Sequence, residues 1–329
     1  MPDYFKNLGP ISYKSIAKSI GTYSEEKSFI YKNVKFSNLK GLDNCSKNDL
    51  SFIYDNTNIN SLDINSKGVI ISKKNNNIAN DKIIKFVVDD VHLALSKISN
   101  LFYREFTLNE KKFLKKTSLK GQKNISKSSV IKNDCLVGDN LNTGDGVVIN
   151  EGCVIGHNVK IGSNTVIHNS IIGDNVEIES NCSIGQSGFG FAVSSPTNIR
   201  IFHIGRVIIQ NNSYIGSGCT IDRGSFSDTY IGENVYLDNQ VHIAHNVRIG
   251  CNTILAGQCG IAGSTIIGNN VRIGGQVGII GHVNIGNNVE IAAKSGVRHS
   301  IGDNQKIMGD PAVNMFTHLK KTLKKNKAS

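Results

Sequence analysis

Tryptophan is absent from the 329-residue chain, and proline occurs only four times against 33 glycines. That balance fits neither a collagen-like nor a disordered chain. No run of eighteen apolar residues is present, and the start (Met1-Pro2-Asp3-Tyr4-Phe5-Lys6) lacks the apolar stretch of a signal peptide. The expectation is a soluble, cytoplasmic protein without stable membrane insertion. Cys-x-x-Cys pairs and zinc-ligand spacings are also missing, so neither a disulfide framework nor a structural metal is expected.

What is there is a period. From Ile231 to Val297 an aliphatic residue recurs every six positions, through Leu237, Ile243, Ile249 and Leu255 onward. This is neither the two-residue period of a strand nor the 3.6 of a helix. Six residues per short strand and turn mark a hexapeptide parallel β-helix, in which three hexads close one triangular coil. Residues eighteen apart should then lie above one another. The register extends back to Ile125, with one hexad shortened to five residues before Ile172 and a four-residue insertion before Ile231. An excursion at 186–206, carrying Phe189, Phe191, Pro196 and Phe202, reads as a loop thrown out of the wall. Gly and Asn after the aliphatic positions suit tight corners.

In this register Cys135, Cys153, Cys182, Cys219 and Cys259 fall four residues after an aliphatic position. They share that slot with Val159, Val235 and Val247, which makes them small core residues. Ahead of the repeat, residues 1–105 mix short β-like runs with a helix opened by Asp90, a small α/β domain of its own. Residues 106–124 read as a linker, 125–310 as the β-helix, and 311–329 as a short basic helix or tail. The net charge is +11, and the tail holds Lys320, Lys321, Lys324, Lys325 and Lys327. It suits either a solvated helix or docking of an acidic protein or anionic surface. No nucleic-acid-binding module is present.

The chemistry is densest in Leu237-Asp238-Asn239-Gln240-Val241-His242-Ile243-Ala244-His245-Asn246. His245 lies two residues past Ile243, so its ring should point outward. Gly263 and Gly281 follow it at eighteen-residue steps, and His282 lies two coils away, one residue around the turn. Histidines beside a glycine-floored groove could supply a base, oxyanion donors and room for a thin acyl chain. The bland alternative is a polar turn histidine. A zinc pair of His242 and His245 is the other, although their spacing straddles a corner and no third ligand stands out. Gly188-Phe189-Gly190 lacks the strand-to-helix context of a phosphate loop.

Ile204-Gly205-Arg206-Val207-Ile208-Ile209, Thr220-Ile221-Asp222-Arg223-Gly224, Asp238-Asn239-Gln240 and Ile243-Ala244-His245-Asn246-Val247 resemble the UDP-3-O-acylglucosamine N-acyltransferases of lipid A biosynthesis. Gly188-Phe189-Gly190-Phe191 matches as well. The resemblance implies a homotrimer of left-handed β-helices with sites between subunits. It implies transfer of a (3R)-3-hydroxyacyl group from acyl carrier protein to the 2-amino group of UDP-3-O-(3-hydroxyacyl)glucosamine. No cofactor is then needed beyond the phosphopantetheine that carries the acyl donor. By the same resemblance His245 is the general base, Asp238 orients its ring, and the Gly263 N–H faces the oxyanion. His282 meets the phosphates or assists proton transfer, and the basic tail suits the acidic carrier protein. The N-terminal domain would hold uracil through Phe52. The second aromatic of the family is replaced near Asn58, leaving Tyr54 displaced by four residues, and Asp55 stands where some relatives carry Asn. Another hexapeptide-repeat acyl- or acetyltransferase acting on a UDP-sugar is the alternative, and a non-catalytic solenoid is a third reading.

Overall fold

The computed structural model describes residues 5–54, 66–75, 83–104, 117–122, 124–194, 197–309 and 315. Asp55, much of the 106–124 segment and the lysines of the tail lie outside them.

The six-residue period becomes a parallel β-solenoid with three walls, sheets of eight, nine and ten short strands among the described residues. Pairing runs at the expected eighteen-residue step, as in Val148↔Val166 and Ile243↔Ile261. The register absorbs the shortened hexad as Ile155↔Ile172 and the insertion as Ile221↔Ile243. The aliphatic residue of each hexad points inward, and these residues with the small residues two before them form one continuous core. Ile243, Leu255 and Ile261 are fully buried in it. A buried Ile or Leu contributes about 1.5–3 kcal/mol relative to exposure, so the stack is the main source of stability. All five cysteines assigned to the inward slot are buried there with free thiols.

Corners explain the Gly and Asn. Among the described residues twenty non-glycine residues have positive φ, and they fall at the corners. Most are Asn, whose short amide tolerates the left-handed region. Successive corner amides also bond one another, as in Asn270 Nδ2 to Asn288 Oδ1 at 3.2 Å and Asn288 Nδ2 to Asn304 Oδ1 at 3.0 Å. At Gly250 a Cβ would come within 2.6 Å of the Gly268 backbone, so coil stacking admits no side chain there.

The N-terminal residues form a three-stranded parallel sheet of Leu50–Phe52, Gly68–Ser72 and Ile84–Val88. Around it lie helices α1 (Tyr13–Ser19), α2 (Glu25–Ile30) and α3 (Val91–Phe102). Asp90 caps α3 by accepting from Leu93 N–H at 3.1 Å, and Val91, Leu95, Ile98 and Phe102 face the core. That core is not closed on itself: Ile201 of the excursion and Phe226 of the four-residue insertion are buried in it. The two interruptions of the repeat are therefore the joint between the solenoid and the N-terminal unit. Arg206 strengthens it, with Nε and Nη2 donating to the two carboxylate oxygens of Asp228 at 3.1 and 2.6 Å.

Candidate active site

His242–Ile243, Gly260–Ile261, Gly278–Ile279 and Gly296–Val297 are successive strands of the nine-stranded wall. Gly260, Gly278 and Gly296 stack in register on its outer face. A Cβ on any of the three would meet nothing within 4 Å, so the column is an open trench. The groove containing it has a volume of about 610 Å³, with His242, His245, Asp222 and Phe189 at one end and Ile280 and Arg298 among its other residues.

His245 lies at the corner after this wall, half-buried, as its place in the hexad predicts. Its Nδ1 is 2.9 Å from Asn246 Oδ1. The amide orientation of Asn246 is fixed independently. Its Oδ1 accepts from Ser225 N–H at 3.1 Å, and its Nδ2 donates to Ser227 O at 3.2 Å. Since Asn246 Oδ1 can only accept, His245 Nδ1 carries the hydrogen and the Nε2 lone pair is free. Ser225 and Ser227 belong to the four-residue insertion. The insertion was visible in the sequence, but its role in fixing the histidine was not.

Gly263 stacks under His245 as the eighteen-residue rule requires. A Cβ there would lie 2.7 Å from His245 Cε1 and 2.9 Å from Nε2. The Gly263 carbonyl accepts from His282 N–H at 3.2 Å, while its own N–H has no partner among the described residues. His282 sits one coil beyond Gly263 at the same edge of the solenoid, with φ of 61°. Its acidity is raised first by partial desolvation, then by His245 and by His92 of α3, so the three imidazoles share one neighbourhood.

Asp238 does not orient His245 within this chain. It lies at the corner where the chain leaves the ten-stranded wall, a full wall away from the His245 corner, and its Oδ1 accepts from Asn239 N–H at 2.7 Å. The neutral Asn246 holds the ring instead. The carboxylate beside the histidines is Asp222, 6% exposed. Its Oδ1 accepts from Gln186 Nε2 at 3.2 Å and its Oδ2 is 4.0 Å from His242 Nε2. Burial raises its pKa, opposed by Gln186 and the histidines. Asp222 belongs to one of the sequence motifs, but register alone does not place it beside His242, so the sequence gives it no role. His242 Nδ1 is engaged with Thr220 Oγ1 at 2.7 Å. Among the described residues no three His, Cys, Asp or Glu side chains converge as a metal site requires.

Phe52 is 8% exposed and packs edge-on against Phe226 at 5.0 Å and Tyr54 at 5.2 Å. It is part of the core that Phe226 completes. Tyr54 lies flat against His92 at 4.5 Å, and burial lifts its phenol far above the usual range.

With the site in place, the comparisons bear on it. A model of the bacterial transferase hexapeptide (six repeats) matches residues 228–263, which include His245 and Gly263, and a model of the GMPPB C-terminal domain matches residues 114–202. The chain is 61% identical over 66 residues to a UDP-3-O-acylglucosamine N-acyltransferase of Rhizobium rhizogenes, covering 20% of this chain and 19% of that protein. It is 46% identical over 87 residues to the protein of that name from Agrobacterium fabrum (26% and 21%) and 42% identical over 87 residues to that of Caulobacter vibrioides (26% and 26%). These curated relatives all carry the name UDP-3-O-acylglucosamine N-acyltransferase. The matches span about a fifth to a quarter of their length. Among solved structures, LpxA of Acinetobacter baumannii aligns with a TM-score of 0.52 at 24% identity over 60% of this chain and 76% of that one. The UDP-N-acetylglucosamine acyltransferase of Francisella novicida aligns with a TM-score of 0.51 at 24% identity over 60% and 72%. Both support the solenoid fold. Among the described residues no helix is long and apolar enough to cross a membrane.

Proposed function

We propose that the chain is the N-acyltransferase its curated relatives are named for, moving a 3-hydroxyacyl group from acyl carrier protein onto the 2-amino group of UDP-3-O-(3-hydroxyacyl)glucosamine in lipid A biosynthesis. One observation carries the reading. An imidazole with its tautomer locked by Asn246 sits beside an unpartnered backbone N–H, at the end of a trench shaped for an acyl chain.

His245 Nε2 takes a proton from the glucosamine amine as the nitrogen attacks the thioester carbonyl carbon. The Gly263 N–H donates to the oxyanion that forms, and such a donor is typically worth about 10²–10³ in rate. Collapse of the tetrahedral intermediate expels the phosphopantetheine thiolate, which receives the proton back from His245. The acyl chain lies along Gly260, Gly278 and Gly296, where the missing side chains leave a channel. His282 faces the nucleotide phosphates, and no metal or other cofactor takes part. A homotrimer would close the groove with a second chain, and the lysines beyond Gly309 suit the acidic carrier protein. A cytoplasmic location follows from the carrier protein.

The test is acyl transfer from 3-hydroxyacyl carrier protein to UDP-3-O-(3-hydroxyacyl)glucosamine, with wild type and His245→Ala run side by side. Wild type should turn over, and the variant should lose about 10²–10⁴ in kcat while keeping its thermal transition. Wild type that is inert on the amine but acylates a 3-hydroxyl or uses acetyl-CoA would retain the scaffold and remove the assigned reaction.

A further inference from the structure

Two glycines and two histidines interlock beside the groove. Along Gly188-Phe189-Gly190 the Phe189 side chain is thrown outward, 85% exposed, against Phe191 at 5.0 Å. A Cβ on Gly188 would lie 2.9 Å from His245 Cβ and 3.1 Å from its Cδ2. One on Gly190 would lie 2.4 Å from His203 Cε1 and 2.9 Å from its Nε2. Neither glycine has positive φ, so what they supply is space for the two rings.

His203 is 1% exposed, and its ring meets that of His245 edge to face, at 5.3 Å and 68°. Its Nδ1 is 3.0 Å from the Ile201 carbonyl, so Nδ1 carries the hydrogen and donates. Its Nε2 is buried without a hydrogen-bond partner among the described residues, an arrangement that calls for a reason. Arg223 anchors the surrounding backbone, donating from Nε to the His203 carbonyl at 2.9 Å and from Nη1 to the Gly185 carbonyl at 3.2 Å. The ring is therefore held at both the side chain and the main chain. Burial, with help from His245 and Arg223, lowers its pKa to about 4, which leaves it neutral in the range where His245 works.

We infer that His203, clamped between Gly190 and His245, is a positioning residue that holds the His245 ring in the orientation its role as base requires. The inference rests on the reading of His245 as the base given above. Asn246 secures Nδ1 of His245, but a single hydrogen bond at one edge of the ring still lets it tilt. Gly188 on the Cβ side and His203 against the ring remove that freedom. The neighbour of a base that becomes cationic has to be planar and uncharged, and an imidazole donating only through Nδ1 is both. The Gly-Phe-Gly sequence makes no phosphate loop because its glycines are spent on packing two rings.

Three variants test this: His203→Ala, His203→Gln and Gly190→Ala. Gln keeps a planar neutral group of similar length that can donate to the Ile201 carbonyl. Misplacement of a catalytic group by about an ångström can cost about 10²-fold, so His203→Ala should lower kcat about tenfold or more with KM within about twofold. His203→Gln should recover most of that loss. Gly190→Ala, which pushes on the His203 ring, should reproduce the kcat defect. The second readout does not need turnover. In protein labelled with ¹⁵N at the histidine rings, wild-type His245 should show a single tautomer protonated at Nδ1, and His203→Ala should show averaged or broadened ring signals. If wild type is inactive, the proposed reaction fails, and the ring signals still decide the positioning role. Unchanged His245 signals in folded His203→Ala would overturn the inference. So would an unchanged kcat, or a parallel loss of kcat, KM and thermal stability that His203→Gln does not rescue.

Discussion

The neutral amide of Asn246 decides which nitrogen of His245 is basic, and it does so from a corner position with φ of 62°. Removing it should free both tautomers and unhook Ser225 and Ser227. Asn246→Ala is expected to lower kcat by about 10–100-fold with a smaller change in KM, measured by steady-state transfer kinetics. His203 makes a second prediction, on stability. Its folded pKa of about 4 lies below the unfolded value near 6.5. The unfolded chain therefore binds a proton as pH falls through about 6.5 while the folded chain does not until about 4. The stability this site confers is present in full above pH 6.5 and is lost between about 6.5 and 4. The loss is up to about 3 kcal/mol, because each tenfold weakening of proton binding on folding corresponds to about 1.4 kcal/mol. Urea midpoints taken across that range should fall for wild type, and less steeply for His203→Gln.

Short strands of two residues cannot hold a sheet alone, so the solenoid depends on its corners and its aliphatic stack. Asn288 shows both contributions of a corner. Its φ of 56° favours Asn or Gly, and its amide links Asn270 above to Asn304 below. Asn288→Ala should cost about 1–2 kcal/mol from the left-handed backbone alone, with the broken amide ladder added. Asn288→Gly removes the backbone penalty but not the ladder loss, so it should fall between wild type and Ala in a denaturant titration. The elements themselves were largely legible. The six-residue step, the inward cysteines, the Asp90 cap and the two register breaks could all be counted, because each is local along the chain or a departure from a counted period. The partners of the breaks could not be counted. Phe226 enters the N-terminal core, and Ser225 and Ser227 hold Asn246, through contacts that follow no period.

For the molecule as a whole, the glycine column sets the shape of the groove while the neighbouring coils keep it rigid. Gly278 has open space around its missing side chain. Gly278→Leu should therefore fold normally yet fill the trench. A pocket discriminates by about 10–200-fold per methylene, so kcat/KM for long acyl donors should fall about tenfold or more while short donors are spared. Competition between carrier proteins loaded with acyl chains of different length would read this directly. Loss of the thermal transition would show instead that the glycine serves the stack.

By itself the sequence determined the solenoid, its eighteen-residue coil and the column that sets His245 above Gly263, because a fixed period converts residue number into position. Tertiary structure decided what lies beside that column. Within one chain it put Asn246, not Asp238, against His245 Nδ1, since residues at opposite edges of a wall do not meet however close they are in sequence. It drew Phe52 into a core completed by Phe226, set Asp222 of a wall strand beside His242, and brought His203 against His245 through the excursion. Those contacts depend on how the loops pack, which no repeat encodes.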